Sequence, residues 1–323
     1  MIPTTPEPTK SPSFLSNRWG VLLLAHGAPD RLEDIPEFLL NVRDGRKLPD
    51  AVVQEITHRY SLIGGGSPLL RLTTLQAEGL ARLLVQPVYI GMRNWKPFIA
   101  DAVRQLNEDG VGRVVVLCLA PQNSRTSIGL YRKYLDDAVT KFAPRLQVDF
   151  IESWHDHPLL VEAFREKVAA AIARVEAEAG GPVPLIFTAH SVPEKTIADG
   201  DPYEQQVRET ARRVAEGLGL GDYRLAFQSQ GMTAEPWIGP RVESLIDELA
   251  GAGQRHVLLA PVGFVSDHVE ILYDIDVLFR GYGRSKGVTV HRSESLNDSP
   301  AFIRALAAIV TERLGQHVGE SRQ

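Results

Sequence analysis

Seven short apolar runs recur along the chain, and segments of helical length separate them. The runs are GVLLLA (20–25), PVYI (87–90), RVVVLCL (113–119), QVDFI (147–151), PLIFTA (184–189), YRLAFQS (223–229) and HVLLAP (256–261). A strand with one wet face alternates polar and apolar residues, whereas an unbroken run suits a strand covered on both faces. Helices are expected over 34–42, 51–61, 69–84, 96–109, 125–141, 158–179, 203–217, 240–252, 268–279 and 300–314. In ESLIDELAGAG the apolar residues fall at helical spacing, and Gly251 and Gly253 supply the stop. Strand alternating with helix is the pattern of parallel sheets in an α/β fold.

The two halves echo one another. LLLAHGAP resembles IFTAHSVP, and VLCLAPQ resembles VLLAPVG. Two copies of one α/β unit would explain both pairs, although Leu, Ala and Val fill any buried strand. The division falls near ESWHDHP (152–158), which gives 18–154 and 155–298 as two domains. The last segment, 299–315, could pack back on the first domain. Residues 1–17, rich in Pro, Thr and Ser, are expected to form a flexible tail. They lack the basic start and long apolar core of a signal peptide.

A chain of 323 residues has room for two ordinary domains. Its net charge of −5 offers no footprint for nucleic acid. One cysteine, Cys118, excludes a disulfide framework and a cysteine-built zinc or iron–sulfur site within the chain. No apolar run approaches the roughly 18 residues of a membrane span. A cytoplasmic monomer without a transmembrane segment is the expectation.

In open α/β sheets, ligands bind outside the carboxyl ends of strands. His26 and His190 each follow an apolar run directly, at matching places in the two halves. That puts two imidazoles at the rim of a cleft; the plainer reading is that each is structural. Glu270 and Asp274, in DHVEILYDID, are four residues apart, so one helix face would carry both carboxylates. They stand among Val269, Ile271, Leu272 and Tyr273, unlike an ordinary solvated face. A carboxylate facing an imidazole can hold a divalent metal or pass protons. HRYSLIGGGSPL (58–69) carries three glycines, either as a turn or as backbone N–H groups turned to an anion. It is no P-loop, since no Gly-Lys-Ser/Thr follows. Arg43, Arg46, Lys47 and Arg59 lie nearby, and arginine binds carboxylates bidentately.

In this order, LAHGAP, RYSLIGGGSPL, YIGM, FTAHSVP, FQSQGMTAEPWIGP and PVGFVSDHVEILYD resemble the ferrochelatases over residues 20 to about 314. The resemblance implies two Rossmann-like domains with a porphyrin cleft between them, and insertion of ferrous iron into a porphyrin. DRLEDIPEFLLNVRDGRKLP is similar to the bacterial enzymes that metallate coproporphyrin III. By motif, His190 and Glu270 match the paired metal-site residues. Arg43, Arg59, Tyr60, Ser67 and Tyr131 match positions that hold the porphyrin and its propionates, and Trp237 is a candidate wall residue. Iron and porphyrin would be substrates, with no permanently bound cofactor and no iron–sulfur cluster. Haem-pathway enzymes are the expected protein partners.

Two departures bear on chemistry. His26 stands where the coproporphyrin enzymes usually have an iron-ligating tyrosine, so His26 is expected to point into the cleft and ligate product iron. Leu278 stands where some of them carry a further acid. His190 is expected to be a neutral imidazole near its unperturbed pKa of about 6.5, able to accept a pyrrole proton. The alternatives are a protoporphyrin IX ferrochelatase and a non-catalytic porphyrin or haem carrier.

Overall fold

The computed structural model describes residues 18–231 and 234–320, so the tail expected over 1–17 lies outside it. Strands β1 (Trp19–Ala25), β2 (Val88–Met92), β3 (Arg113–Cys118) and β4 (Gln147–Ile151) form a parallel sheet in the order β2-β1-β3-β4. Strands β5 (Leu185–His190), β6 (Arg224–Gln228), β7 (His256–Pro261) and β8 (Thr289–Arg292) form a second, in the order β6-β5-β7-β8. All pairings are parallel, and the second order is the first repeated. Helices alternate with the strands throughout, so the architecture is α/β with two parallel sheets.

The internal echo is half real. Leu24 pairs with Cys118 as Thr188 pairs with Pro261, so β1 matches β5 and His26 matches His190 in space. By the same register Pro261 takes the place of Cys118, not of Pro121. The second echo is therefore a coincidence of composition. Strand β8 has no counterpart among the seven expected runs. It is short, closes a sheet edge, and carries Thr289, His291 and Arg292, so no apolar run announces it.

Burial explains why the other runs are unbroken. Val21, Leu23, Val115 and Leu117 face one core cluster, while Leu22, Leu24, Val114 and Val116 face another. Adjacent residues point to opposite faces of a sheet, and here both faces are dry. The first of these clusters also takes Leu185, Phe187, Leu258 and Ala260 from the second sheet. Helices α3 (Leu69–Leu84), α6 (Pro158–Ala179) and α12 (Pro300–Glu320) join it, and α12 packs on α3 and α6. Phe302 of α12 stacks on Trp154, 6.1 Å between ring centroids. Each large side chain so buried contributes about 1.5–3 kcal/mol.

Beside the sheets, α1 (Ile35–Val42) and α2 (Asp50–Leu62) build a small core from Ile35, Phe38, Leu39, Tyr60 and Trp95. Val269 of the second half packs against it. The single helix expected over 268–279 is broken instead. Helix α10 covers Val269–Leu272, a π-helical turn covers Asp274–Phe279, and α11 covers Arg280–Ser285. The Tyr273 carbonyl accepts from both Val277 and Leu278, which widens the turn and re-aims the side chains that follow. Among the described residues, no helix is long and apolar enough to cross a membrane.

Candidate active site

The residues at the carboxyl ends of β1 and β5, His26 and His190, share one acid, Glu270, and Val269 of α10 packs on the core of α1 and α2. His190 ends β5 with its backbone fixed on both sides. Its carbonyl accepts from the hydroxyl of Tyr203, at the start of α8 (Tyr203–Gly217), at 3.0 Å. The next amide, Ser191, donates to the Gln228 carbonyl at 2.7 Å. Gly263, beyond β7, passes so close that a Cβ there would lie 2.5 Å from that of Ala189. His190 Nδ1 turns back to the Ser191 carbonyl, which aims Nε2 outward.

Nε2 lies 3.4 Å from Oε1 of Glu270, and the two side chains are 35% and 33% exposed, so both are reachable. Glu270 is fixed through its backbone N–H, which donates to His268 Nδ1 at 3.2 Å. Burial opposes charge on both partners. Their mutual attraction outweighs it and raises His190 to about 9, with help from the Ser191 carbonyl and Asp274. Burial likewise works against the Glu270 carboxylate, but the His190 charge holds it well below the usual carboxylate range. Each charge therefore favours the other, where the sequence alone points to a neutral imidazole.

Asp274 opens the π-helical turn and accepts a hydrogen bond from the Ser229 hydroxyl. Burial, then the Glu270 charge, push its carboxyl up to about 7 against the pull of Ser229. Ser229 holds a left-handed backbone at φ 59°, directly after β6. The adjacent Gln228 amide donates to the Glu270 carbonyl at 2.7 Å. Glu270 and Asp274 thus remain neighbours, as the spacing implies, but on two helical pieces rather than one. Leu278, farther along the turn, is exposed.

From the first sheet, His26 opens into the same space, within reach of the Glu270 and His268 charges. The crowding walls, then the Arg93 charge, hold it down at about 4. Its ring meets the edge of Phe38 at 6.1 Å. Its Nδ1 lies 2.9 Å from the Gly27 carbonyl, and its Nε2 2.9 Å from the Asn94 amide.

The other residues named from sequence differ in availability. Tyr60 is buried in the small core and Tyr131 against the first sheet, both with phenols pushed up by burial. The Ser67 hydroxyl accepts from the Leu69 amide at 3.2 Å. Before it, Gly66 lies so tight on the chain that a Cβ would fall 1.9 Å from the Asp30 carbonyl oxygen. Arg59 pairs with Glu55 at 3.0 Å and lies 5.2 Å over the Tyr273 ring, linking the two halves. Arg43 is exposed and makes no carboxylate pair among the described residues. Trp237 bridges to Pro193, close to the His190 loop.

Arg93 and Asn94, just after β2, escape the sequence reading. They directly follow the YIGM motif, and that adjacency was the available signal. Arg93 is half-buried, lies 5.2 Å over the Tyr131 ring and has no carboxylate partner among the described residues. Two other histidine clusters are already satisfied internally. His256 and His291 meet head-on in nearly one plane, nitrogen to nitrogen at 3.0 Å, which fits a shared hydrogen rather than an ion. His155 is held between Ser153 and Glu209.

Comparison with known proteins gives the family. The family model for ferrochelatase matches residues 18–314. A protein of Acidobacterium capsulatum named ferrochelatase is 47% identical, with 93% of this chain and 96% of that one covered. A coproporphyrin III ferrochelatase of Bacillus pumilus is 39% identical, over 93% and 98%. In fold alone, the chain is similar to a sirohydrochlorin chelatase of Bacillus subtilis subspecies spizizenii. That likeness has a TM-score of 0.60 at 10% identity, over 94% of this chain and 97% of the other. Matching histidines at the ends of β1 and β5, an acid opposite one of them, and a family match across almost the whole described chain lead to one assignment: this protein belongs to the ferrochelatase family.

Proposed function

We propose that this protein inserts ferrous iron into coproporphyrin III to give coprohaem, a step of haem biosynthesis. The observation that carries the reading is the His190–Glu270 pair, 3.4 Å apart and about one-third open to the cleft. Metallation exchanges two pyrrole protons for one Fe²⁺, so the site must attract a cation and take up protons. The Glu270 carboxylate attracts the ion. As Fe²⁺ nears the pair, charge repulsion drives the imidazolium proton from His190 and frees Nε2 as ligand or base. Asp274, titrating near neutrality, takes the proton that leaves His190; the freed Nε2 then accepts one pyrrole proton, and the second passes to solvent at the exposed side of the pair.

Propionate number favours coproporphyrin III, which carries four against two on protoporphyrin IX. Arg93 and Arg43 are cations without a carboxylate partner among the described residues. A charge-assisted hydrogen bond is worth about 1.5–3 kcal/mol. Discounted for solvent, one such bond supports a preference of about tenfold. Several Bacillus relatives carry the name coproporphyrin III ferrochelatase, which supports the same choice. In this reading iron and porphyrin are substrates, no cofactor is held permanently, and a cytoplasmic monomer works beside other haem-pathway enzymes.

The test is anaerobic Fe²⁺ insertion with coproporphyrin III and protoporphyrin IX in parallel. A kcat/KM about tenfold higher for coproporphyrin III is expected. Equal or better turnover of protoporphyrin IX would transfer the assignment to that substrate. Tight porphyrin binding without insertion would make the protein a carrier.

A further inference from the structure

His26 is exposed, but its two ring nitrogens are not free. Nδ1 faces the Gly27 carbonyl at 2.9 Å, and Nε2 faces the side-chain nitrogen of Asn94 at 2.9 Å. A carbonyl only accepts, so Nδ1 carries the hydrogen. An amide nitrogen only donates, so Nε2 turns its lone pair to Asn94. That lone pair is the one a metal ion would need.

Asn94 is itself fixed. It is 3% exposed, its backbone N–H donates to the His26 carbonyl at 2.9 Å, and its backbone carbonyl accepts from the Asn41 side-chain amide at 3.1 Å. Arg93 N–H donates to the Ala25 carbonyl at 3.0 Å, so the two segments are zipped side by side. Phe38 lies edge-on to the imidazole, 6.1 Å between ring centroids.

We propose that Asn94 is a positioning residue that withholds His26 from the iron of a bound metalloporphyrin, leaving the ring as a neutral wall of the cleft. The proposal rests on the porphyrin-metallating function above. It gives the two spatially matched histidines different work. His190 faces an acid and takes part in metal exchange, whereas His26 faces an amide donor and does not capture the ion. The product iron is then released without breaking a strong imidazole bond from the His26 side.

The test uses the full chain. Ferric coprohaem is titrated into wild type, His26→Ala, Asn94→Ala, Asn94→Leu and the His26→Ala/Asn94→Ala double variant, and absorption and resonance Raman spectra report the axial ligands. In the metal-free protein, ¹⁵N NMR of the histidines reads the tautomer directly, with His26→Ala assigning its signal. The expected wild-type tautomer has hydrogen on Nδ1 and a bare, hydrogen-bonded Nε2, and the wild-type haem spectrum is unchanged by His26→Ala. Either Asn94 variant gains an axial imidazole signature, and the double variant loses it. Loss of an axial imidazole signal in His26→Ala alone would overturn the proposal. So would Asn94 variants that bind haem with wild-type spectra. If no variant binds coprohaem, the porphyrin reading itself fails, and the proposal with it. The NMR arm separates the two failures, because it reads the Asn94–His26 pairing without any ligand.

Discussion

The Ser229 hydroxyl donates to the carboxylate of Asp274, holding an acid at the head of the π-helical turn and one step beyond Glu270. Asp274 is nevertheless raised to about 7 from 3.8, because burial and the Glu270 charge outweigh that bond. The folded protein therefore keeps this proton between pH 3.8 and about 7, where the unfolded chain has lost it. Stability attributable to Asp274 falls as pH rises through that window. Asp274→Asn, which mimics the neutral acid, should flatten this slope and raise Tm at pH 8. Thermal unfolding of the metal-free protein from pH 4 to 8 is the measurement; an unchanged slope would refute the assignment.

The His190–Glu270 pair predicts a second loss of the same sign in a higher window. His190 is easier to charge in the folded state than in the unfolded chain, where its pKa is 6.5. Its stabilisation is complete below 6.5 and is lost as pH rises to about 9. Glu270 is depressed below 4.5, so its share is present above 4.5 and is lost only under stronger acid. Glu270→Gln should remove the alkaline loss of Tm between pH 6.5 and 9. Since the pair is partly solvated, the effect is expected to be a few degrees at most.

Catalysis should depend on both members. Glu270→Gln keeps the shape and removes the charge; His190→Ala removes the proton-bearing ring. Either change should lower iron insertion at least about 100-fold, the scale of positioned acid–base groups. Porphyrin binding, followed by fluorescence quenching, should remain. Near-wild-type turnover in both variants would exclude this mechanism.

Arg93 and Arg59 should separate in porphyrin binding. Arg59 already holds Glu55 and stacks on Tyr273, whereas Arg93 has only the Tyr131 ring. Arg93→Met should weaken coproporphyrin III binding about tenfold, with a smaller dependence on salt. Arg59→Met should cost less in affinity and more in Tm, because it removes a link between the two halves. Titration at low and high salt measures both.

Gly66→Ala places a methyl group against the Asp30 carbonyl, which cannot yield without moving the loop that carries Ser67. A loss of about 1–3 kcal/mol in stability is expected, from overpacking. Chemical denaturation checks it, with Gly45→Ala as a comparison in open space. Gly45 has φ 80°, so its own cost is backbone strain rather than a clash.

The unbroken apolar runs determined the strands, and their alternation with helical segments determined parallel sheets, because burial on both faces leaves no room for polar alternation. The repeat of LAHGAP and TAHSVP located both histidines, since a strand's carboxyl end is fixed by where its apolar run stops. Glu270 and Asp274 were legible as neighbours from spacing alone. Strand β8 was not legible, because an edge strand of four residues is held by its neighbour's backbone rather than by its own side chains. The break at Tyr273 was hidden too, for a widened turn reflects packing around Ser229 and Asp274 rather than local propensity. Only the tertiary structure decided charge and partner. His26 and His190 end equivalent strands, yet crowding and the Arg93 charge hold the first imidazole down while the Glu270 carboxylate holds the second up. Arg93, just after β2, and Glu270, in α10, are distant in sequence from the histidines they control. Protonation is set by the group across the gap, and folding alone brings that group there.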